Sequence, residues 1–296
     1  VVRVSGVALG LLAALSWGIA DFLARFASRA FGAYRAQFYS TFVGLAALTV
    51  ALLTTGEFSR FGAYDSPSAW TWAVVCAALI SVASLAFFQA FGQGVLALVS
   101  PIVASYGAVT ALLAWWSGES LTVRTGIGLA CVLVGIVLSA IPGRAAPGEP
   151  KSAGSAWLSP GVIWAVCAAW VYGIAFYLLG AHVTPDLGGL TSIWISRLLG
   201  PFALAFIARA ANEPLGPVPR GRAGWALVGV GGLATLASVA TAFGLGRGED
   251  AVVTVLGSMS TVVTVLLALV VLRERLARHQ WLGALVTLAG ILLVEG

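Results

Sequence analysis

Ten apolar runs of about twenty residues each, separated by short polar joints, leave this chain few ways to fold. A hydrocarbon core of roughly 30 Å is crossed by about 20 helical residues. The runs near Val4 to Leu23, Tyr34 to Leu53, Trp70 to Phe91, Val95 to Trp116 and Val123 to Ile141 are therefore expected spans, as are Trp157 to Leu179, Leu187 to Ala208, Gly224 to Phe243, Ala251 to Leu272 and Ala277 to Val294. The first run follows Arg3 and exceeds the apolar core of a signal peptide, so it is expected to be retained. Composition agrees: 9% of residues are charged and 60% hydrophobic, with a mean hydropathy of +0.99. A soluble domain carries about 25% charged residues, and a water-facing surface cannot be made without them.

The chain repeats itself. Glu119 in GESLT aligns with Glu274 in RERLA at a shift of 155, and the same shift pairs Gly128 with Gly283, Gly135 with Gly290, Gly18 with Gly173 and Trp70 with Trp225. Between the copies, Pro142 to Ala156 is rich in Pro, Gly and Ala and has no apolar period. The expected organisation is a first five-helix repeat over 1–141, a linker over 142–156 and a second repeat over 157–296. Five spans are an odd number, so the second copy enters the membrane from the opposite side. The expected fold is thus an all-α membrane protein of ten transmembrane helices in two inverted repeats.

Eleven of the sixteen Lys and Arg residues collect on one face of this arrangement, among them Arg25, Arg29, Arg35, Arg209 and Arg273. By the positive-inside rule that face is cytoplasmic, which puts both termini outside. The net charge of +5 lies in these short clusters and not in a basic stripe interleaved with aromatics, so nucleic acid is not an expected partner. Cys76, Cys131 and Cys167 each lie in an apolar run without metal-site or disulfide spacing, and are read as small packing residues. No metal or cofactor is expected. The expected partners are a small-molecule substrate, the bilayer and protons, with a monomer as the expected state.

With its two half-repeats, the chain resembles the drug/metabolite transporter superfamily, in its ten-helix EamA-like branch. The resemblance rests on Trp17-Gly18 in the first span, Ser100-Pro101 in the fourth and the turns GESLT and RERLA, and it covers essentially the whole chain. It implies export or exchange of small metabolites such as amino acids, sugars, phosphorylated sugars or lipophilic compounds. The family's usual arrangement has both termini in the cytoplasm, opposite to the charge count.

Arg197 stands near the centre of its span, where a guanidinium faces the bundle interior or a water-filled cavity. Its fork of donors suits a carboxylate or phosphate, and the competing role is a structural pairing to helix-end carbonyls or Asp21. Asp21 is the one acid well inside an apolar run. Arg25 follows one turn later, so an intrahelical ion pair is expected, with proton coupling as the sharper alternative. Trp17 and its repeat mate Tyr172 each precede a glycine and are candidates to stack on a planar substrate or to pack the core. Gln89 and Tyr106 are candidates to line a polar path. Pro101 and Gly257 fall at nearly matching places in the repeats and are candidate hinges. Glu119 and Glu274 are read as turn and cap residues, with a gating role as the alternative.

An enzyme is not expected. His182 and His279 fall in loops, and there is no phosphate-binding loop, no HExxH and no cysteine pair at ligand spacing. The abundance of Arg, Gly and Ala points to a bacterial source, hence an inner-membrane location. The expected function is a secondary transporter, exporter or exchanger, working by alternating access between the repeats, with a channel or facilitator as the alternative.

Overall fold

The computed structural model of the chain describes residues 5–56, 66–118, 120, 122–141, 159–245, 253 and 256–295. The expected linker over 142–156 and Glu119 lie outside the described residues. The described helices are α1 (Gly6–Phe31), α2 (Ala33–Thr55), α3 (Pro67–Gln93), α4 (Leu96–Ala104), α5 (Tyr106–Trp116), α6 (Val123–Ala140), α7 (Pro160–His182), α8 (Thr184–Leu187), α9 (Gly189–Ala210), α10 (Arg222–Leu245), α11 (Ser260–Val270) and α12 (Arg278–Glu295). Seven of the described segments are long and apolar enough to cross a membrane, with α4 and α5 counted as one, Leu96–Trp116. Three shorter apolar helices, Val123–Ser139, Leu256–Val270 and Arg278–Val294, fall where the fifth, ninth and tenth spans are expected.

Local signals set the helix ends. Ser5 caps α1 by accepting from the Ala8 amide, Thr122 caps α6 by accepting from Thr125, and Pro67 and Pro160 open α3 and α7 where no amide hydrogen is needed. Gly32, with φ 78°, turns α1 directly into α2, and Gly188, with φ 75°, makes the same turn into α9 one repeat later. A side chain is disfavoured at that φ, so glycine allows the two-helix joint at both places. The fourth span is not continuous as expected. It breaks at Ser105, one turn beyond Pro101, and the matching break in the second repeat falls at Met259, just before α11.

The glycines that reveal the repeat also explain one interface. A Cβ on Gly128 would meet the Gly290 carbonyl at 2.9 Å, and one on Gly135 would meet the Gly283 carbonyl at 2.7 Å, so α6 and α12 cross backbone to backbone. Elsewhere the repeats interleave. Helix α3 packs along α7 and α9, and α1 packs along α10, α11 and α2, so the packing units mix the two halves. One group holds α3, α4–α5, α7 and α9, and the other holds α1, α2, α10 and α11. Exchange of repeat mates converts each group into the other.

Chain direction follows from contacts at the two ends. Arg25 late in α1, Gly94 after α3 and Gly161 at the start of α7 meet at one face, where Arg35 also reaches the Pro217 carbonyl at 2.8 Å. At the other face Ser66 donates to Asp186 at 2.7 Å. Helix α1 therefore runs toward the cationic face and α7 runs away from it. Large apolar side chains such as Phe202, Phe206 and Val270 lie exposed on the outside of the bundle, as a lipid-facing surface requires. Trp116 and Trp225 are exposed at opposite ends of the bundle, where aromatic belts are expected.

Candidate functional site

A cavity of about 560 Å³ opens between the two helix groups. It is lined by Trp17, Asp21, Tyr106, Tyr172, Arg197 and Gly257, so six of the candidates chosen from sequence share one space. Gln89 does not line it; its side-chain oxygen accepts from Gln93 at 2.7 Å near the end of α3. Pro101 is buried in α4 and also off the cavity wall.

Arg197 reaches across from α9 and donates through Nη1 to the Thr235 hydroxyl on α10. Space for the guanidinium comes from two glycines. A Cβ on Gly44 would run into the Arg197 head, and Gly231 lets α10 approach α2 so closely that a Cβ there would meet the Gly44 amide at 2.8 Å. Thr235 itself lies 2.8 Å from the Gly231 carbonyl and 3.2 Å from that of Gly44. The guanidinium thus joins one helix group to the other at the cavity edge, neither at a helix-end carbonyl nor on Asp21.

The expected ion pair of Asp21 with Arg25 is not formed. Arg25 instead lies 2.9 Å from Glu274 and donates to the Gly94 carbonyl at 2.6 Å, because its side chain points along α1 toward the cationic face while Asp21 points into the cavity. Among the described residues Asp21 has no hydrogen bond or ion pair. Tyr172 lines the same cavity as Asp21 and Arg197.

The opposite wall is aromatic. Tyr172 stacks on Phe176 with centroids 5.5 Å apart, Tyr106 lies 5.2 Å from Phe176, and the Tyr172 hydroxyl pairs with Ser84 at 2.7 Å. Between the two walls, hydroxyls line the space. Thr41, Ser81, Ser196 and Ser238 each donate to the carbonyl four residues back, at 2.7 to 2.9 Å. Their protons are committed, so they offer lone pairs to the cavity. Gln37 adds another acceptor: its amide nitrogen donates to the Ser81 carbonyl at 2.8 Å, while its buried oxygen has no partner among the described residues. The site therefore combines a strong cationic donor, Arg197, with many acceptors and one carboxylate, beside an aromatic wall.

Sequence reasoning missed Gln37, Thr235, the hydroxyls and Phe176. Phe176 carried a readable signal, since it stands 155 residues after Asp21 and is its repeat mate. The hydroxyls carried none, because serine and threonine on membrane helices serve packing as often as binding.

The EamA-like transporter family model matches the chain twice, over residues 4–141 and 159–296. No protein of curated function matches. A solved structure titled only "Crystal structure of protein" is similar at a TM-score of 0.59 and 18% identity, covering 97% of this chain and 95% of its own, a likeness of fold alone.

Proposed function

The chain belongs to the EamA-like transporter family, and from that premise we propose that it is a secondary transporter whose substrate occupies the cavity between the two helix groups. The observation that carries this reading is the 560 Å³ cavity itself, of a size that holds a small metabolite, with Arg197, Asp21 and an aromatic wall facing one space. Such a set of groups fits a molecule that bears a carboxylate and an ammonium on a compact apolar or aromatic body, such as an amino acid.

In this reading Arg197 takes the carboxylate, and Asp21 with the Gln37 oxygen and hydroxyl lone pairs takes the ammonium. The apolar body lies against Tyr106, Tyr172 and Phe176. Because Arg197 also holds Thr235 on the other helix group, a carboxylate competes with that tie, which links occupancy to how firmly the groups are joined. Two near-equivalent packings of mate-related groups supply the alternating access, the cycle runs as export or exchange, and Asp21 is the coupling carboxylate. The cationic face is cytoplasmic and the membrane is the inner one.

The test is counterflow in vesicles loaded with amino acids, alongside thermal stabilisation of the purified protein, for wild type and Arg197→Ala. Saturable exchange and stabilisation by carboxylate-bearing compounds, both lost in Arg197→Ala, are expected. Flux that rises linearly with concentration and shows no counterflow marks a channel. Stabilisation by neutral or cationic compounds, unchanged in the variant, assigns Arg197 to structure and overturns the substrate assignment.

A further inference from the structure

The pair Arg25 and Glu274 lies outside the cavity wall, yet it is the one ion pair among the described residues and it is buried, with side chains 8% and 9% exposed. Its position relative to the two helix groups gives it a use. Arg25 is on α1, and Glu274 lies between α11 and α12, so the 2.9 Å ion pair is assembled beside one group, that of α1 and α11. What the pair grips belongs to the other. Glu274 accepts from the amides of Leu96 at 3.0 Å and Ala97 at 2.8 Å, the first two residues of α4, and Arg25 donates to the Gly94 carbonyl just before them at 2.6 Å.

The amides of a helix's first turn have no intrahelical partner and sit at the positive end of its dipole, so a carboxylate is the natural cap. Here the cap comes from the second repeat and the helix from the first. At the same face the backbones of Gly94 and Gly161 meet, where a Cβ on Gly161 would lie 2.6 Å from the Gly94 nitrogen.

We propose that Arg25 and Glu274 form a latch that closes the cationic end of the cavity by holding the start of α4, and that the repeat gives the opposite end no matching arginine. Separation of the two groups at this face breaks three hydrogen bonds to α4 and its preceding turn, while the ion pair stays whole on its own side. The freed groups are backbone amides and a carbonyl, which water satisfies, and no charge is left unpaired, so the grip is reversible. A buried pair that had to be split on opening would resist far more.

The repeat supplies the asymmetry. The mate of Arg25 is Gly180, around which a Cβ would meet nothing within 4 Å, so the repeat leaves the opposite end without the arginine. The two ends of a transporter built from similar halves are then unequally held, and the resting population favours closure at the cationic face.

The experiment places a single cysteine at Ser100, a cavity-lining position of α4 about one turn beyond the gripped amides, in a background with Cys76, Cys131 and Cys167 replaced by alanine. A membrane-impermeant thiol reagent is added to vesicles, with Arg209→Cys, exposed on the cationic face, reporting which side the reagent reaches. Slow labelling from the cationic face is expected with the latch intact. Glu274→Gln and Arg25→Gln should each speed it by roughly tenfold, and Arg25→Lys should stay near the parent. Should Glu274→Gln fail to fold, Arg25→Gln decides alone, since it keeps the carboxylate near the first turn of α4 but removes the bond to the Gly94 carbonyl and the cation that holds Glu274 in place. Labelling at the parent rate in folded Arg25→Gln and Glu274→Gln overturns the latch. This readout needs no substrate, so it stands or falls apart from the assignment of Arg197 and Asp21.

Discussion

The two walls of the cavity are repeat mates with opposite chemistry. Trp17, Asp21 and Thr261 on one side stand 155 residues from Tyr172, Phe176 and Tyr106 on the other, with Thr261 the later residue of its pair. Gene duplication gave both walls the same backbone, yet one keeps a carboxylate where the other keeps a ring. Arg197 is equally one-sided, since its mate is Phe42, which lies 45% exposed on the bundle surface. In the proposed cycle, the similar frames let the two groups exchange roles, and the unlike side chains give the bound molecule one orientation. On that reading pseudo-symmetry serves the motion, and its violations serve recognition.

The largest expected effect comes from removing the cation that the symmetry lacks. Arg197→Ala should weaken a carboxylate-bearing substrate by about 2–5 kcal/mol, read as a shift of the half-saturating concentration in counterflow. A neutral amine of the same shape should lose little. Equal losses for both compounds would show that the variant disturbs the walls themselves.

Next is the acid wall. Asp21→Asn should cost an ammonium-bearing substrate about 1–3 kcal/mol and abolish proton-driven uptake, while carboxylates without an amine bind as before. Proton-driven uptake that persists in Asp21→Asn ends its assignment as the coupling group. Asp21→Phe, which copies the mate residue, sharpens the comparison further: the cavity then carries two apolar walls and should select against amines altogether.

Much of this frame was legible in the chain. Ten apolar runs and one constant shift point to an all-helical membrane protein with a repeat, because lipid demands continuous apolar helices and duplication preserves glycines wherever backbones touch, as at Gly128 and Gly290. Arg197 and Asp21 were legible as candidates for the same reason, since ionised groups in hydrocarbon are costly. Partner choice was not. The spacing of Asp21 and Arg25 fits an intrahelical pair, but a helix shows only its own neighbours in sequence, and Glu274 arrives from 249 residues away to take the arginine. The interleaving of the halves was hidden likewise, because span order says nothing about which spans pack side by side.

The aromatic wall offers a smaller effect. Phe176→Leu keeps the apolar volume and removes a ring that stacks on Tyr172. Substrates with an aromatic body should lose about 0.5–1.5 kcal/mol relative to aliphatic ones of similar size. Matching losses in the two series would mean that the wall reads bulk and not rings.

The smallest expected effect separates the wall's architecture from its contact with substrate. Tyr172 spends its hydroxyl on Ser84 at 2.7 Å, both on helices of the same group, so that bond braces α7 against α3. Tyr172→Phe keeps the stacked ring and removes a hydrogen bond with a net value of about 0.5–1.5 kcal/mol, leaving Ser84 to find another acceptor. The melting temperature should fall by only about 2–4 °C. Ser84→Ala should fall by a similar amount, and the double variant by little more than either, since one bond is lost in all three. Affinity for substrate should hold throughout. Falling affinity in Tyr172→Phe at an unchanged melting temperature would put the hydroxyl on the ligand, and the wall opposite Asp21 would then be a second polar surface.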